Sequence, residues 1–111
     1  MKTERLCFAL DLKDDLQLIQ EYIDHHKKVW PEIIASIKDS GIMNMEIFHI
    51  ANRLFMVMEV DEHFSLKAKG DSDKNNEQVQ KWERLMNQYQ QVLPGTPEGV
   101  KWVQMNRIFK L

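Results

Sequence analysis

The segment MNMEIFHIANRLFMVMEV, residues 43–60, decides the fold. Two runs rich in strand-forming residues, 43–50 and 53–60, flank the short connection Ala51-Asn52. Runs of this kind separated by a two-residue connection are typical of a β-hairpin. We therefore expect two antiparallel strands here.

Both faces of the second run are apolar. Side chains alternate between the two faces of a strand. One face therefore carries Leu54, Met56 and Met58, and the other carries Phe55 and Val57. One layer of helices covers only one face of a sheet, and soluble proteins rarely expose a large apolar patch. We expect the open sheet face to pack against a second copy of the chain in a homodimer, the simpler explanation, or to wall part of a ligand cavity.

A strand and a helix are predicted before the hairpin. Residues 5–12 (RLCFALDL) are apolar at every second position, which indicates a strand. From Leu16 to Ile37, apolar residues recur every three or four positions, as in an amphipathic helix. Pro31 disfavours helical geometry at the residue before it, so we expect a kink or restart there. Gly41 is a good stop signal.

A second helix and a last strand are predicted after the hairpin. Residues 61–76 are polar, and several of them are suited to precede a helix. A second stripe at helical spacing begins at Val79 and ends at Leu93, before the sequence PGTP. Residues 101–109 (KWVQMNRIF) predict a final strand.

The resulting order is β-α-β-β-α-β, which predicts an α+β, ferredoxin-like fold. In this fold two helices cover one face of a four-stranded antiparallel sheet. A chain of 111 residues without a linker or an internal repeat suits a single domain spanning residues 1–111.

The composition argues against several classes of partner. Apolar residues make up 43% of the chain, charged residues 29%, and the net charge is −2. This balance indicates neither a nucleic-acid partner nor a membrane surface. No stretch approaches the roughly 18 apolar residues that span a bilayer. With no secretory signal and with Cys7 as the only cysteine, we expect a cytoplasmic protein in which Cys7 is a buried structural thiol.

Sequence motifs for metals and cofactors are missing. The chain has no HExxH and no CxxC, so we expect no metal site. It has no GxGxxG or GxxxxGK[ST], so no nucleotide cofactor is expected, and no GxSxG elbow is present.

Two adjacent histidines lie near the end of the first predicted helical stripe. His26 is on the apolar stripe and is either a hydrogen-bonded core residue or a proton carrier in a pocket. Tyr22 lies one turn earlier on adjoining helix surface. His25 is rotated by about 100° from His26, so we expect it to face solvent, together with Lys27 and Lys28.

Two residues of the second predicted helix each allow two interpretations. Trp82 is on the apolar stripe, where it could belong to the core or stack on the C–H face of a sugar ring. Glu83 is off the stripe; we expect it to be exposed, or else to bind a hydroxyl-rich ligand.

The first helical stripe resembles the signature Y-x-x-x-H-x-x-x-W-P-E-[LI] of the L-rhamnose mutarotase family. The matching residues are Tyr22, His26, Trp30, Pro31, Glu32 and Ile33. Further agreement occurs at Gly41-x-x-Asn44, Ile47-Phe48, Leu54-Phe55, Trp82 and Ile108-Phe109-x-Leu111. The resemblance implies a small dimeric α/β barrel that interconverts the α and β anomers of a 6-deoxyhexose without a cofactor.

The resemblance also implies roles for individual residues. His26 matches the family's acid/base residue, and Tyr22 and Trp82 match its substrate-contacting tyrosine and tryptophan. Two ligand-facing positions depart from the rhamnose-type pattern: Met45 replaces a tyrosine, and Glu83 replaces a second tryptophan. The implied substrate is therefore L-rhamnose or a differently configured 6-deoxy sugar such as L-fucose.

Two other functions fit the same scaffold. One is a cofactor-free monooxygenase, which would need a pocket for an aromatic substrate. The other is a non-catalytic module that binds a small molecule in the barrel cavity.

Overall fold

The computed structural model describes residues 2–111. It consists of one antiparallel sheet with helices on one of its faces. The strands are β1 (Thr3–Leu12), β2 (Ile42–Ile50), β3 (Arg53–Asp61), β4 (Gln90–Gln91) and β5 (Val103–Gln104). The helices are α1 (Leu16–His25), α2 (Pro31–Asp39), α3 (Leu66–Lys74) and α4 (Glu77–Asn87), and a 3-10 turn, His26–Lys28, follows α1. The order across the sheet is β2-β3-β1-β4, and β5 also pairs with β1. The predicted ferredoxin-like arrangement is confirmed.

The predicted hairpin is confirmed as β2 and β3. Phe48 lies opposite Phe55 in this pair. Ala51 in the connection has a positive φ of 52°, which lets the chain reverse within two residues. A β-bulge between Ile42 and Asn44 follows Gly41, where the chain enters the sheet.

The first predicted helix is divided at the proline, as expected. The side chain of Asp15 accepts a hydrogen bond from the backbone N–H of Leu18 and so caps the start of α1. Trp30 is extended, with φ −58° and ψ 138°, because the ring of Pro31 clashes with a helical preceding residue. Pro31 then begins α2, where its missing N–H costs no hydrogen bond.

The core lies between the helices and one face of the sheet. Leu10 and Leu12 of β1 and Leu54 of β3 are almost completely buried there. Ile19 and Tyr22 bring α1 onto this layer. Burial of such apolar side chains is the main favourable term in folding.

One helix was not predicted. The polar segment 61–76 contains α3, whereas we expected only an approach to the next helix. Ser65 caps α3 by accepting a hydrogen bond from the Ala68 N–H, and Lys67 forms an ion pair with Asp71 across one turn. Local contacts of this kind can form a helix that has no apolar stripe.

The prediction of a last strand over residues 101–109 is wrong for most of its length. Only Val103–Gln104 form β5, and the Met105 N–H donates a last hydrogen bond to the Cys7 carbonyl. The short strand β4 was not predicted. It lies within the helical stripe that was expected to run to Leu93, whereas α4 ends at Asn87. Cys7 itself is only half-buried, because it lies on the sheet face away from the helices.

The open sheet face carries exposed apolar side chains on its edge strand β2. Phe48 and Ile50 of β2 are 53% and 77% exposed on it. Asp11 at its edge is buried and accepts two hydrogen bonds from the Arg53 guanidinium, at 2.8 and 3.2 Å. Among residues 2–111, no helix is long and apolar enough to cross a membrane.

Candidate functional site

A cavity of about 880 Å³ opens between the helices and the sheet. Its size is within the range of small-molecule sites. The five residues that the sequence analysis named as candidate catalytic or substrate-binding residues all contribute to its wall: Tyr22, His26, Met45, Trp82 and Glu83. They come from α1 and the turn after it, from β2 and from α4. The fold thus brings together residues that are up to about sixty positions apart.

One ring nitrogen of His26 is held by the backbone. Nδ1 lies 2.8 Å from the carbonyl oxygen of Tyr22. A carbonyl oxygen only accepts hydrogen bonds, so Nδ1 carries the hydrogen and donates it. In the neutral imidazole, Nε2 is then unprotonated and can accept a proton from a ligand.

The surroundings of His26 favour its neutral form. Burial is the largest effect and lowers its pKa below the usual 6.5. The hydrogen bond to the Tyr22 carbonyl opposes this effect, and the nearby charge of His25 adds to it. At neutral pH, His26 is therefore a base.

Aromatic rings surround the imidazole of His26. The ring centre of Tyr22 is 4.4 Å from that of His26, and the ring centre of Trp82 is 5.6 Å from it in an edge-on arrangement. Trp30 lies behind, 5.1 Å from Trp82 and nearly perpendicular to it. These contacts fix the orientation of both rings that face the cavity.

The Tyr22 hydroxyl can act as a donor. Burial is the larger effect on its pKa and raises it, so the phenol keeps its proton. The Gln90 side-chain amide donates to the Tyr22 oxygen at 3.5 Å. The oxygen of the same amide, Oε1 of Gln90, is buried and has no hydrogen-bond partner within the described chain.

Glu83 and Met45 flank this aromatic group. Glu83 is half-buried in the cavity wall, so the expectation that it is exposed is wrong and the alternative, that it faces a ligand, gains support. Its Oε2 accepts a hydrogen bond from Gln80 at 3.4 Å. Met45 is half-buried on β2 and presents an apolar side chain to the same space.

Several polar or aromatic residues of the wall were not predicted as site residues, among them His49, Gln90, Lys101 and Trp102. They lie in β2, in β4 and just before β5, at no fixed spacing from His26. Only the folded chain reveals them, since no local pattern in the sequence marks them.

The expectation that His25 faces solvent is wrong. His25 is half-buried, and its Nε2 lies 3.2 Å from the hydroxyl of Tyr89, which donates to Glu21 at 3.2 Å. Regular α geometry ends at His25, and Tyr89 covers the end of α1. His25 lies outside the cavity wall. Lys27 and Lys28 are exposed, as predicted.

The acidic, histidine and cysteine side chains are dispersed in the described structure. Between residues 2 and 111, no three of them come together in an arrangement that could hold a metal ion. The polar groups of the cavity are instead single donors and acceptors set in an apolar wall.

A comparison with protein families decides the assignment. The model of the L-rhamnose mutarotase family matches residues 5–111. The chain belongs to the L-rhamnose mutarotase family. The predicted resemblance is therefore confirmed over nearly the whole sequence.

Individual relatives agree with this family. An L-fucose mutarotase from Xanthomonas campestris pv. campestris is 43% identical over 113 residues, which cover 100% of this chain and 90% of that protein. An L-rhamnose mutarotase from Formosa agariphila is 35% identical over 82% of this chain and 84% of the relative.

A solved structure agrees with the fold. The crystal structure of L-rhamnose mutarotase FA22100 from Formosa agariphila superimposes with a TM-score of 0.72 at 29% identity. The match covers 97% of this chain and 98% of that one. The mixed α/β architecture with a curled antiparallel sheet is thus shared with a solved L-rhamnose mutarotase.

Proposed function

We propose that this protein is a mutarotase that interconverts the α and β anomers of a 6-deoxyhexose. This proposal rests on one observation: Tyr22, His26 and Trp82 line the same cavity in a chain of the L-rhamnose mutarotase family. The chemistry requires one group that both accepts and returns a proton, and a wall that binds a sugar.

His26 performs the proton transfers. Its unprotonated Nε2 removes the proton from the anomeric hydroxyl while the bond between the anomeric carbon and the ring oxygen breaks. The hydroxyl oxygen becomes an aldehyde oxygen, and the ring oxygen takes up the proton from the imidazolium. After rotation of the aldehyde, ring closure by the reverse steps gives the other anomer. General acid/base transfer of this kind typically contributes about 10²- to 10⁴-fold.

Tyr22 and Trp82 hold the sugar against His26. The protonated Tyr22 hydroxyl donates to a sugar oxygen, because burial opposes its ionisation. The Trp82 indole stacks on the apolar C–H face of the ring. Both rings touch the imidazole, so the bound sugar and the base are positioned by the same contacts.

L-Fucose is the first candidate substrate, and L-rhamnose is the second. Glu83 can accept hydrogen bonds from sugar hydroxyls, which the tryptophan of rhamnose-type members cannot do. Met45 removes the hydroxyl that a tyrosine supplies there. The relative from Xanthomonas campestris pv. campestris, at 43% identity, is named L-fucose mutarotase.

We also propose that the protein is a cytoplasmic homodimer formed through the open sheet face. The exposed apolar side chains of Phe48 and Ile50 lie on this face, while the charges of Asp11 and Arg53 neutralise each other at its edge. A self-complementary face of this kind suits a two-fold dimer. The single cysteine, Cys7, fits a reducing compartment.

Anomer exchange measured by saturation-transfer NMR tests the catalytic proposal. Wild-type protein should accelerate exchange of L-fucose or L-rhamnose, and His26→Asn should lower kcat by about 10²-fold or more. Asparagine retains a donor for the Tyr22 carbonyl, but it cannot carry a proton at neutral pH.

His63→Ala is the matched control, because His63 is an exposed histidine outside the cavity wall. It should retain wild-type exchange rates. Wild-type protein that accelerates neither sugar, or a His26→Asn variant as active as His63→Ala, would contradict the proposal. Sugar binding without acceleration would instead indicate a binding module.

A further inference from the structure

Lys101 is a charged residue of the cavity that neither the sequence pattern nor the proposed proton transfer explains. It lies just before β5, is half-buried and contributes to the cavity wall together with Trp102. In the part of the chain that the structure describes, its ammonium has no ion-pair partner within 4 Å and no side-chain hydrogen bond. Three N–H donors are therefore available to a ligand.

The electrostatic surroundings of Lys101 indicate which ligand it suits. Burial lowers its pKa, and the carboxylate of Glu83 partly opposes this effect. Both groups line the same cavity, so their opposite charges offset each other there. Lys69 and Asp73 of the wall pair with each other, and Lys38 is exposed to solvent. A site with this balance favours a neutral ligand with hydroxyl groups over an anionic one.

Among the other charged residues of the wall, Lys69 and Asp73 already form an ion pair with each other. Met45, Met56 and Phe8 supply apolar surface. His26 is assigned above to the anomeric hydroxyl and the ring oxygen, and Tyr22 to one other donor contact with the sugar. Trp82 touches His26 and immediately precedes Glu83 in α4. It therefore lies between the part of the wall that holds His26 and the part that holds Glu83.

We propose that Lys101 and Glu83 act as a pair that binds ring hydroxyls other than the anomeric hydroxyl and thereby selects the sugar. The ammonium donates to one hydroxyl, and the carboxylate accepts from it or from its neighbour. L-Fucose and L-rhamnose have opposite configurations at carbons 2 and 4, so a pair at a fixed position distinguishes them. This inference rests on the proposed mutarotase function and extends it to specificity.

Lys101→Met tests the pair, because methionine keeps most of the side-chain length and removes the charge. For L-fucose we expect KM to rise about ten- to hundredfold, as for loss of a hydrogen bond to a charged group. We expect kcat to change by less than about threefold, since a contact made equally in the bound sugar and in the transition state affects only binding. Glu83→Gln should shift KM in the same direction.

Deoxy sugars separate a direct contact from a structural role. With 2-deoxy-L-fucose or 4-deoxy-L-fucose, whichever lacks the contacted hydroxyl, Lys101→Met should bind as well as wild type. Lys81→Met is the control, because Lys81 is an exposed residue of α4 outside the cavity wall. It should leave both KM and kcat unchanged.

Binding measured by tryptophan fluorescence keeps this inference separate from catalysis. If wild type binds L-fucose without accelerating exchange, and Lys101→Met loses that binding, the mutarotase proposal fails and the paired site stands. An unchanged KM and dissociation constant in folded Lys101→Met would overturn the inference. So would a penalty that persists with both deoxy sugars.

Discussion

His26 is oriented by a backbone carbonyl and not by a carboxylate. A carboxylate partner would stabilise the imidazolium and raise the pKa, as in many catalytic histidines. Here the partner of Nδ1 is the neutral Tyr22 carbonyl, so burial dominates and the pKa falls. A lower pKa suits a residue whose first act is to accept a proton at neutral pH.

The acid side of the pH profile tests this assignment. Protonation of His26 removes the base, so kcat/KM should fall as the pH drops through its pKa. Because that pKa is lowered, the midpoint should lie below 6.5. Anomer exchange followed between pH 4.5 and 8 measures it.

Replacement of the neighbouring histidine gives a second measurement of the same quantity. The charge of His25 lowers the pKa of His26, so His25→Gln should move the midpoint upward. A wild-type midpoint at or above 6.5, or a downward shift in His25→Gln, would contradict this account.

Local patterns in the sequence predicted only some of the residues in the cavity wall. The spacing of Tyr22 and His26 on one turn of helix can be read directly, because residues four apart lie on adjoining surface. Lys101 and Trp102 reach the same cavity from the other end of the chain, and no short-range pattern encodes that contact. His25 was misplaced for a related reason, since its partner Tyr89 is 64 positions away.

At the scale of elements, periodicity located those segments that have an apolar face. It predicted β1, the hairpin, α4 and the first helical stripe, which divides into α1 and α2 at Pro31. It failed for α3, which is held by a cap and by ion pairs between side chains one turn apart. A Ser-x-x-Ala start and repeated Lys–Asp pairs four apart are the signals that could have indicated it.

The last predicted strand shows the opposite error. Alternation over residues 101–109 measures the tendency to be extended, whereas a strand also needs a partner. Pairing with β1 stops after Met105, and residues Ile108, Phe109 and Leu111 are exposed. The pattern therefore predicted an extended backbone but could not predict where its pairing ends.

Replacement of Gly41 and of Gly70 by alanine should change the free energy of unfolding in opposite directions. Gly41, between α2 and β2, has φ +98°, and an added Cβ would lie 2.6 Å from the Asp61 carboxylate. Gly41→Ala should therefore lower the free energy of unfolding by about 1–3 kcal/mol. Urea denaturation measures this change.

Gly70→Ala is the matched substitution. Gly70 is inside α3, and an added Cβ would have no neighbour within 4 Å. Alanine in a helix interior is favoured over glycine by about 0.5–1 kcal/mol, so this variant should be more stable than wild type. Destabilisation by Gly70→Ala, or a neutral Gly41→Ala, would show that the account of these turns is wrong.

At the scale of the whole molecule, one sheet has two uses. Its inner face carries the core and one side of the cavity, while its outer face presents Phe48, Ile50 and Phe55 to the surroundings. The rings of Phe48 and Phe55 lie 6.5 Å apart on this face. Because β3 is apolar on both sides, the proposed dimer would cover the outer face with a second layer.

Phe48→Lys tests the proposed dimer. A lysine there would be buried without a partner in the interface, and its desolvation costs several kcal/mol. The variant should sediment as a monomer at protein concentrations where wild type sediments as a dimer, and its circular dichroism should remain native. Leu16→Lys is the control, since Leu16 is 87% exposed at the start of α1 and away from the open face. A wild-type monomer, or a Phe48→Lys dimer as stable as that of Leu16→Lys, would require another partner for the open sheet face.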